Sequence, residues 1–302
     1  MSVSHVVLGL WPLAGITTVG VTESDAKETL RAAIESGITT FDSAFSYGYA
    51  GECDRLLGSF VRTERDRFEV IGKVGQRWTP DRQRVVDGSP NTLTADAEMS
   101  LQRMGIDQFD LLMLHSPDPH VPIERSAEAL VALQERGLCR RIGVCNVDVA
   151  QHRCFWQAAK CDAIQCPLNL MQRESLDGLI PQCLRDQCDV YVFWVLMKGL
   201  LAGRISRNHQ FTAGDSRPNY EIFQGRARRR THDVLDAIGE LAASTELSVA
   251  QLSIGWALSQ PGVTAALVGA RRADQIKEIA VAKPLEPNVV EAIETIVRTH
   301  SP

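Results

Sequence analysis

The chain has 302 residues, 44% of them hydrophobic and 23% charged, with 22 glycines and 13 prolines. That is ordinary globular composition, and it excludes a collagen, a long disordered chain and a coiled coil. With 32 Lys and Arg against 37 Asp and Glu, the net charge is −5. The densest basic stretch, Arg226-Ala227-Arg228-Arg229-Arg230, reads as one short loop, so nucleic acid is not an expected partner.

Short apolar runs of strand length alternate with longer helical patterns along the whole chain. The strand-like runs are residues 6–11, 39–44, 68–74, 109–115, 141–146, 163–167, 190–196 and 263–269. Several are nearly continuous in Val, Ile, Leu and Phe, as expected of parallel strands covered on both faces. Helical patterns fall at 24–36, 94–104, 123–136, 147–159, 231–244, 249–259, 272–280 and 288–299, with a weaker one at 176–187 that Pro181 interrupts. Gly37, Gly105 and Gly137 end three of them, and Asp148 is a natural N-cap for the fourth. Residues 198–230 read as a long loop, and a loop of that length usually carries function. Eight β-then-α units without a linker predict an α/β fold, one (β/α)8 barrel domain over residues 1–302. A doubly wound open sheet is the rival. It would put G-x-G-x-x-G after the first strand, where the chain reads Leu8-Gly9-Leu10-Trp11-Pro12-Leu13.

No apolar run reaches membrane-spanning length, so no membrane partner is expected. The start, Met1-Ser2-Val3-Ser4-His5, does not read as a signal peptide. The eight cysteines make no C-x-x-C pair. Cys161/Cys166 and Cys183/Cys188 are each five apart with no His cluster near them in sequence. They read as reduced thiols of a cytoplasmic protein with no metal, a structural zinc site being the alternative.

In a barrel, chemistry belongs at the C-terminal ends of the strands. The second apolar run ends in Asp42, the third in Lys73 and the fourth in His115, and Tyr47 lies five residues past Asp42. Alone, each has a structural explanation: a cap, a rim ion pair, a loop aromatic, an imidazole before a proline turn. Together they are four ionisable groups converging on one barrel mouth, where buried charges need partners.

These residues carry a resemblance to the aldo-keto reductases. It begins at Phe41-Asp42-Ser43-Ala44-Phe45-Ser46-Tyr47-Gly48 and Gly51-Glu52-Cys53-Asp54-Arg55-Leu56-Leu57-Gly58. It continues through Gly72-Lys73-Val74, Asp110-Leu111-Leu112-Met113-Leu114-His115, Gly143-Val144-Cys145-Asn146 and Ile164-Gln165-Cys166-Pro167-Leu168-Asn169. Gly199-Leu200-Leu201-Ala202-Gly203-Arg204 and Val268-Gly269-Ala270-Arg271 complete it. The motifs occur in order over almost the whole chain. The resemblance implies a catalytic tetrad of Asp42, Tyr47, Lys73 and His115, with Tyr47 as general acid in reduction and base in oxidation. A free phenol titrates at about 10, and a Lys73 ammonium beside it is expected to lower that value.

The resemblance also implies a nicotinamide cofactor. Asn146 and Gln165 would hold its carboxamide. One of Phe193 and Trp194 would stack on the ring and the other would be core. Leu196, Gly199, Leu201, Gly203 and Arg204 would follow the pyrophosphate, and Gly269, Arg271, Gln275 and Glu278 the adenosine end. The arginines there favour NADP over NAD, because a planar guanidinium matches a 2′-phosphate. Trp11, Pro12, Phe45, Tyr49, Trp78 and Trp194 are candidates for an apolar substrate wall. The function implied is an NADP-dependent oxidoreductase interconverting a small carbonyl (aldehyde, ketone or sugar) and its alcohol. A cofactor-binding regulatory subunit with slow turnover is the alternative, and a lyase using Lys73 as a Schiff base is a third reading.

Overall fold

A computed structural model describes residues 4–16 and 20–300. Met1–Val3, the first part of the segment read against a signal peptide, lie outside the described residues. Eight parallel strands close into a barrel: β1 (Val6–Gly9), β2 (Thr40–Asp42), β3 (Glu69–Val74), β6 (Phe109–Leu114), β7 (Cys139–Cys145), β8 (Ala163–Pro167), β9 (Asp189–Phe193) and β10 (Ala265–Val268). Pairing of β1 with β10, Val7 opposite Leu267, closes the ring and removes the open-sheet rival. All eight expected strands are present. Two additional short strands, β4 (Gln76–Trp78) and β5 (Arg84–Val86), form an antiparallel hairpin after β3 that the apolar pattern did not announce.

The connecting helices are α1 (Glu23–Glu35), α2 (Glu52–Val61), α3 (Pro90–Met104), α4 (Ile123–Glu135), α5 (Val149–Ala158), α6 (Leu179–Arg185), α7 (Gly225–Thr245), α8 (Val249–Leu258), α9 (Ala273–Ile279) and α10 (Pro287–His300). Asp148 caps α5 as expected: it accepts from the Gln151 N–H at 2.8 Å and Gln151 accepts from the Asp148 N–H at 3.1 Å. Helix α6 survives Pro181 because the helix begins only two residues earlier. A first-turn proline forfeits no helical hydrogen bond. Two readings need correction. Residues 226–230 are not a loop but the first turns of α7, where Arg228 Nη2 donates to the carbonyls of Ser206 and His209, each at 3.0 Å. The remainder of 198–224 is not featureless either; it holds short 3-10 turns at Met197–Ala202, Arg217–Asn219 and Glu221–Phe223.

The period-2 alternation of strands sorts the apolar residues into two layers. Val7, Ile71, Leu111, Met113, Ala163, Tyr191 and Ala265 fill the barrel lumen. Their neighbours, among them Leu8, Val70, Leu112 and Ile164, face the helices in the larger outer core. At the N-terminal end of the lumen, Arg141 bridges Glu69 and Asp189, the latter at 2.9 Å. The same alternation sets the opposite end. Two residues beyond lumen-facing Ile71 stands Lys73, two beyond Met113 stands His115, and two beyond Ala163 stands Gln165. The polar residues at the mouth thus continue the inward register of the lumen.

Candidate active site

Asp42, Lys73 and His115 are buried, and Tyr47 is only 9% exposed. Lys73 Nζ is in salt-bridge contact with Asp42 Oδ1 and donates to the Ser43 carbonyl at 3.1 Å. Gln165 Nε2 donates to the other Asp42 oxygen at 2.6 Å. The carboxylate is therefore satisfied on both oxygens, as a buried charge must be. Asp42 and Lys73 come from adjacent strands, with Asp42 in register with Ile71.

Tyr47 reaches this pair from the loop after β2. Its N–H donates to the Ala44 carbonyl at 2.8 Å, and the Trp78 indole holds the preceding Ser46 carbonyl at 2.8 Å. Gly48 follows at φ +111, where a Cβ would stand 2.8 Å from the Glu52 nitrogen, so the turn into α2 requires glycine. The Lys73 ammonium lies 4.8 Å from the Tyr47 ring centre. The His115 ring is 5.8 Å from it and the Trp11 ring 5.2 Å, both edge-on.

Burial first, and then the Asp42 carboxylate, push the Tyr47 phenol well above its ordinary value. This reverses the expected direction. The Lys73 charge is matched by Asp42 in contact with it, so what Tyr47 meets is a dry site and a neutral pair. Burial, reinforced by the positive charges of Lys73 and Arg84, holds His115 well below the usual imidazole range. The site thus holds a neutral phenol and a neutral imidazole, both able to donate a hydrogen bond. The Nδ1 of His115 has no hydrogen-bond partner among the described residues.

A cleft of about 490 Å³ runs from Tyr47 and Lys73 past Asn146, Gln165, Phe193, Trp194 and Leu196. It continues along Gly199 and Arg204 to Gly269, Arg271, Gln275 and Glu278. The structure thus gathers these expected residues on one surface. Asp42 and His115 lie beneath it rather than lining it. Leu201 and Gly203 do not line it: Leu201 is buried with its carbonyl accepting from Ser253 at 2.9 Å, and Gly203 closes a turn at φ +72. Of the expected apolar wall, Trp11, Pro12, Trp78 and Trp194 line the cleft. Phe45 instead packs under Arg77 and Arg103, and Tyr49 is exposed against Trp78.

Sequence reading missed Arg84, Lys198, Arg217 and Tyr220, all of which line the cleft. Arg84 arrives on the unforeseen hairpin and stacks 5.4 Å from the Trp11 ring. Lys198 sits at φ +52, its ammonium 4.5 Å from the Tyr220 ring centre, and Trp194 at φ +62 meets Tyr220 edge-on. Non-glycine residues held at positive φ on either side of a mouth are the kind of strain that functional loops carry. In sequence, the length of the 198–230 segment hinted at Lys198, Arg217 and Tyr220, and nothing hinted at Arg84.

The cleft has the features a dinucleotide needs. Asn146, held at φ +60, donates to the His115 carbonyl at 2.9 Å, while its Oδ1 has no hydrogen bond among the described residues. A Cβ at Gly199 would meet nothing closer than 3.9 Å, so the backbone there is open to close approach. Arg272 is paired with Asp274, Arg217 with Asp215, and Arg204 with Glu278. Arg271 has no carboxylate in salt-bridge contact among the described residues, and burial together with Arg217 and Arg272 lowers its pKa. A half-buried guanidinium with no paired anion suits a phosphate. Arg204 and Glu278, expected at the pyrophosphate and the adenosine end, are paired with each other.

Comparison with known proteins gives the same picture. The model of the aldo/keto reductase family matches residues 5–298. An aldo-keto reductase of Bacillus subtilis, YhdN, is 32% identical over 283 residues, covering 92% of this chain and 84% of its own length. An NADH-specific methylglyoxal reductase of Escherichia coli is 28% identical over 99% of this chain and 94% of its own. Among solved structures, the glycerol dehydrogenase of Gluconobacter oxydans superposes with a TM-score of 0.91 at 29% identity, over 99% of this chain and 93% of that one. A barrel with this mouth and a family match spanning nearly every residue leave one assignment: the chain belongs to the aldo/keto reductase family and is an NAD(P)-dependent oxidoreductase.

Proposed function

We propose that the enzyme uses NADP(H) to interconvert a small aldehyde, ketone or sugar and the corresponding alcohol, with Tyr47 as the proton-transfer residue. A reduced nicotinamide bound in the cleft supplies the hydride. The protein's task is the oxygen, which gains charge as the carbonyl carbon accepts hydride. Tyr47, kept protonated by burial, donates a hydrogen bond and then the proton to that oxygen. His115, kept neutral, offers the second donor and fixes the oxygen's position. The Asp42–Lys73 pair packs against the phenol ring and positions it, and Gln165 holds Asp42 in place. Lys73 is thus a charged partner rather than a nucleophilic amine, which argues against the Schiff-base reading.

The observation that carries the proposal is the packing of a buried, hydrogen-bonded Asp42–Lys73 pair against a buried phenol that opens on the cleft. Asn146 and the face of Phe193 or Trp194 would take the nicotinamide, and Arg271 the 2′-phosphate. Lys73, Tyr47 and Trp78 line the same cleft and would face the substrate. The test is a nicotinamide absorbance assay on a panel of aldehydes, ketones and sugars, in both directions and with both cofactors. Rapid NADPH consumption with a carbonyl is expected. Tight NADPH binding with negligible turnover across the panel would instead favour the regulatory-subunit reading.

A further inference from the structure

At the opposite end of the barrel, four side chains that no motif connects come together. His152 lies on α5 and Cys183 on α6, while Cys161 and Cys188 stand just before β8 and β9. All four are buried. Cys161 Sγ and Cys188 Sγ are 3.9 Å apart, and Cys183 Sγ is 3.9 Å from His152 Nε2. The ligand atoms of His152, Cys161 and Cys188 all lie within 4.8 Å of one another.

The spacings suit a tetrahedral metal. A Zn–S bond of about 2.3 Å puts two thiolates about 3.8 Å apart, and a Zn–N bond of about 2.0 Å puts sulfur and nitrogen about 3.5 Å apart. A disulfide would require the Cys161 and Cys188 sulfurs to approach to about 2.05 Å. Clustered thiols alone could be small hydrophobes. The histidine is what that explanation leaves out. His152 is fully buried, yet its Nδ1 makes no hydrogen bond among the described residues and faces Asp186 Oδ2 at 3.9 Å. A buried imidazole whose polar neighbours, Cys183 Sγ and Asp186 Oδ2, both stand at 3.9 Å is poorly satisfied, which is costly. An imidazole with one nitrogen toward sulfur ligands and the other toward a carboxylate has the arrangement of a metal-bound histidine with its outer carboxylate.

We propose that His152, Cys161, Cys183 and Cys188 form a structural site for a thiophilic d10 cation, with zinc as the fitting ion. Binding would release the three thiol protons and let Nδ1–H of His152 donate to Asp186. The site ties two helices to the starts of two strands. It sits far from the C-terminal strand ends that carry the candidate active site, so its role is stability.

The experiment uses the full-length protein, reduced and stripped with a chelator, then titrated with Co2+ and afterwards with Zn2+. About one equivalent of cobalt should bind, with a thiolate-to-cobalt charge-transfer band and tetrahedral d–d bands, and zinc should bleach both. Cys188→Ser should lose the bands, and Cys139→Ser, outside the cluster, should keep them. Asp186→Asn should fold normally and weaken binding about tenfold or more. Zinc should raise the thermal midpoint of the wild type and leave that of Cys188→Ser unchanged. If Cys188→Ser does not fold, the wild-type spectrum decides. No charge-transfer band in the wild type, a band that survives Cys188→Ser, or a Cys161–Cys188 disulfide in protein kept under reductant would each overturn the proposal.

Discussion

The ammonium of Lys73 sits 4.8 Å from the centre of the Tyr47 ring while bonded to Asp42 on the other side. The phenol is therefore flanked by a charge that is already neutralised. Replacing Tyr47 with Phe removes the transferable proton and keeps the ring against Trp11 and His115. Carbonyl reduction should fall about 10²- to 10⁴-fold, the usual worth of a positioned acid. NADPH affinity, measured by quenching of tryptophan fluorescence, should be unchanged. Full turnover in Tyr47→Phe would remove this residue from proton transfer.

The protonation states set the pH profile of reduction. Tyr47 must be protonated to act as acid, and burial with Asp42 raises its pKa above the ordinary value of about 10. His115 must be neutral to stay a matched donor, and burial with Lys73 and Arg84 holds its pKa below the ordinary 6.5. Rising pH therefore removes the acid only above about 10, and falling pH charges His115 only below about 6.5. The chemical step, read as kcat under single-turnover conditions, should be flat from about pH 6.5 to 9. A descending limb centred near neutrality would contradict this assignment.

Among the described residues, Arg271 has no carboxylate in salt-bridge contact where Arg204, Arg217 and Arg272 each have one. Arg271→Ala should weaken NADPH binding about 10- to 100-fold, the range of a lost charge-assisted hydrogen bond of about 1.5–3 kcal/mol. NADH binding should change much less. Equal losses for the two cofactors, by calorimetry, would show that Arg271 does not meet the 2′-phosphate.

Asp54 on α2 is buried between the hydroxyls of Ser43 and Ser100, at 2.7 and 2.8 Å. Burial raises its pKa to about 6, offset in part by those two hydrogen bonds and by Arg103. In the unfolded chain it titrates at about 3.9. Between these values the folded protein binds more protons than the unfolded one, so this group's stabilisation is present at low pH and lost as pH rises through about 6. The loss is on the order of 2–3 kcal/mol. Asp54→Asn should flatten the stability profile between pH 4 and 7 relative to wild type in urea denaturation. Parallel profiles for the two proteins would refute the shift.

Much of this architecture could be read along the chain because its signals are local. The strand at 163–167 matches β8 residue for residue, since a short Ile- and Cys-bearing run closed by proline has few other uses. Asp42, Lys73 and His115 were recognisable because each follows the inward-facing positions of its own strand. Helix α2 was not among the helical patterns read: its N-cap Gly51 sits in the left-handed region and Gly58 lies within it, so its propensity is weak. It holds because its apolar face packs against α3. The hairpin Gln76–Trp78/Arg84–Val86 carries two arginines and no apolar run, and its place over the mouth comes from contacts with Trp11 and Ser46.

The sequence by itself determined the alternation of strands and helices, hence the barrel, and placed ionisable residues at successive strand ends. Periodicity and strand-end position act over a few residues, so they are written into the chain directly. Only the folded molecule decided what required residues distant in the chain to meet. It sent the Gln165 amide to Asp42 and, among the described residues, left Arg271 without a carboxylate beside the paired Arg204, Arg217 and Arg272. It reversed the expected direction of the Tyr47 pKa, because burial and the Asp42 charge are properties of the assembled site. It also brought His152, Cys161 and Cys188 within 4.8 Å of one another, with Cys183 beside His152, a convergence set by how two helices pack on two strands.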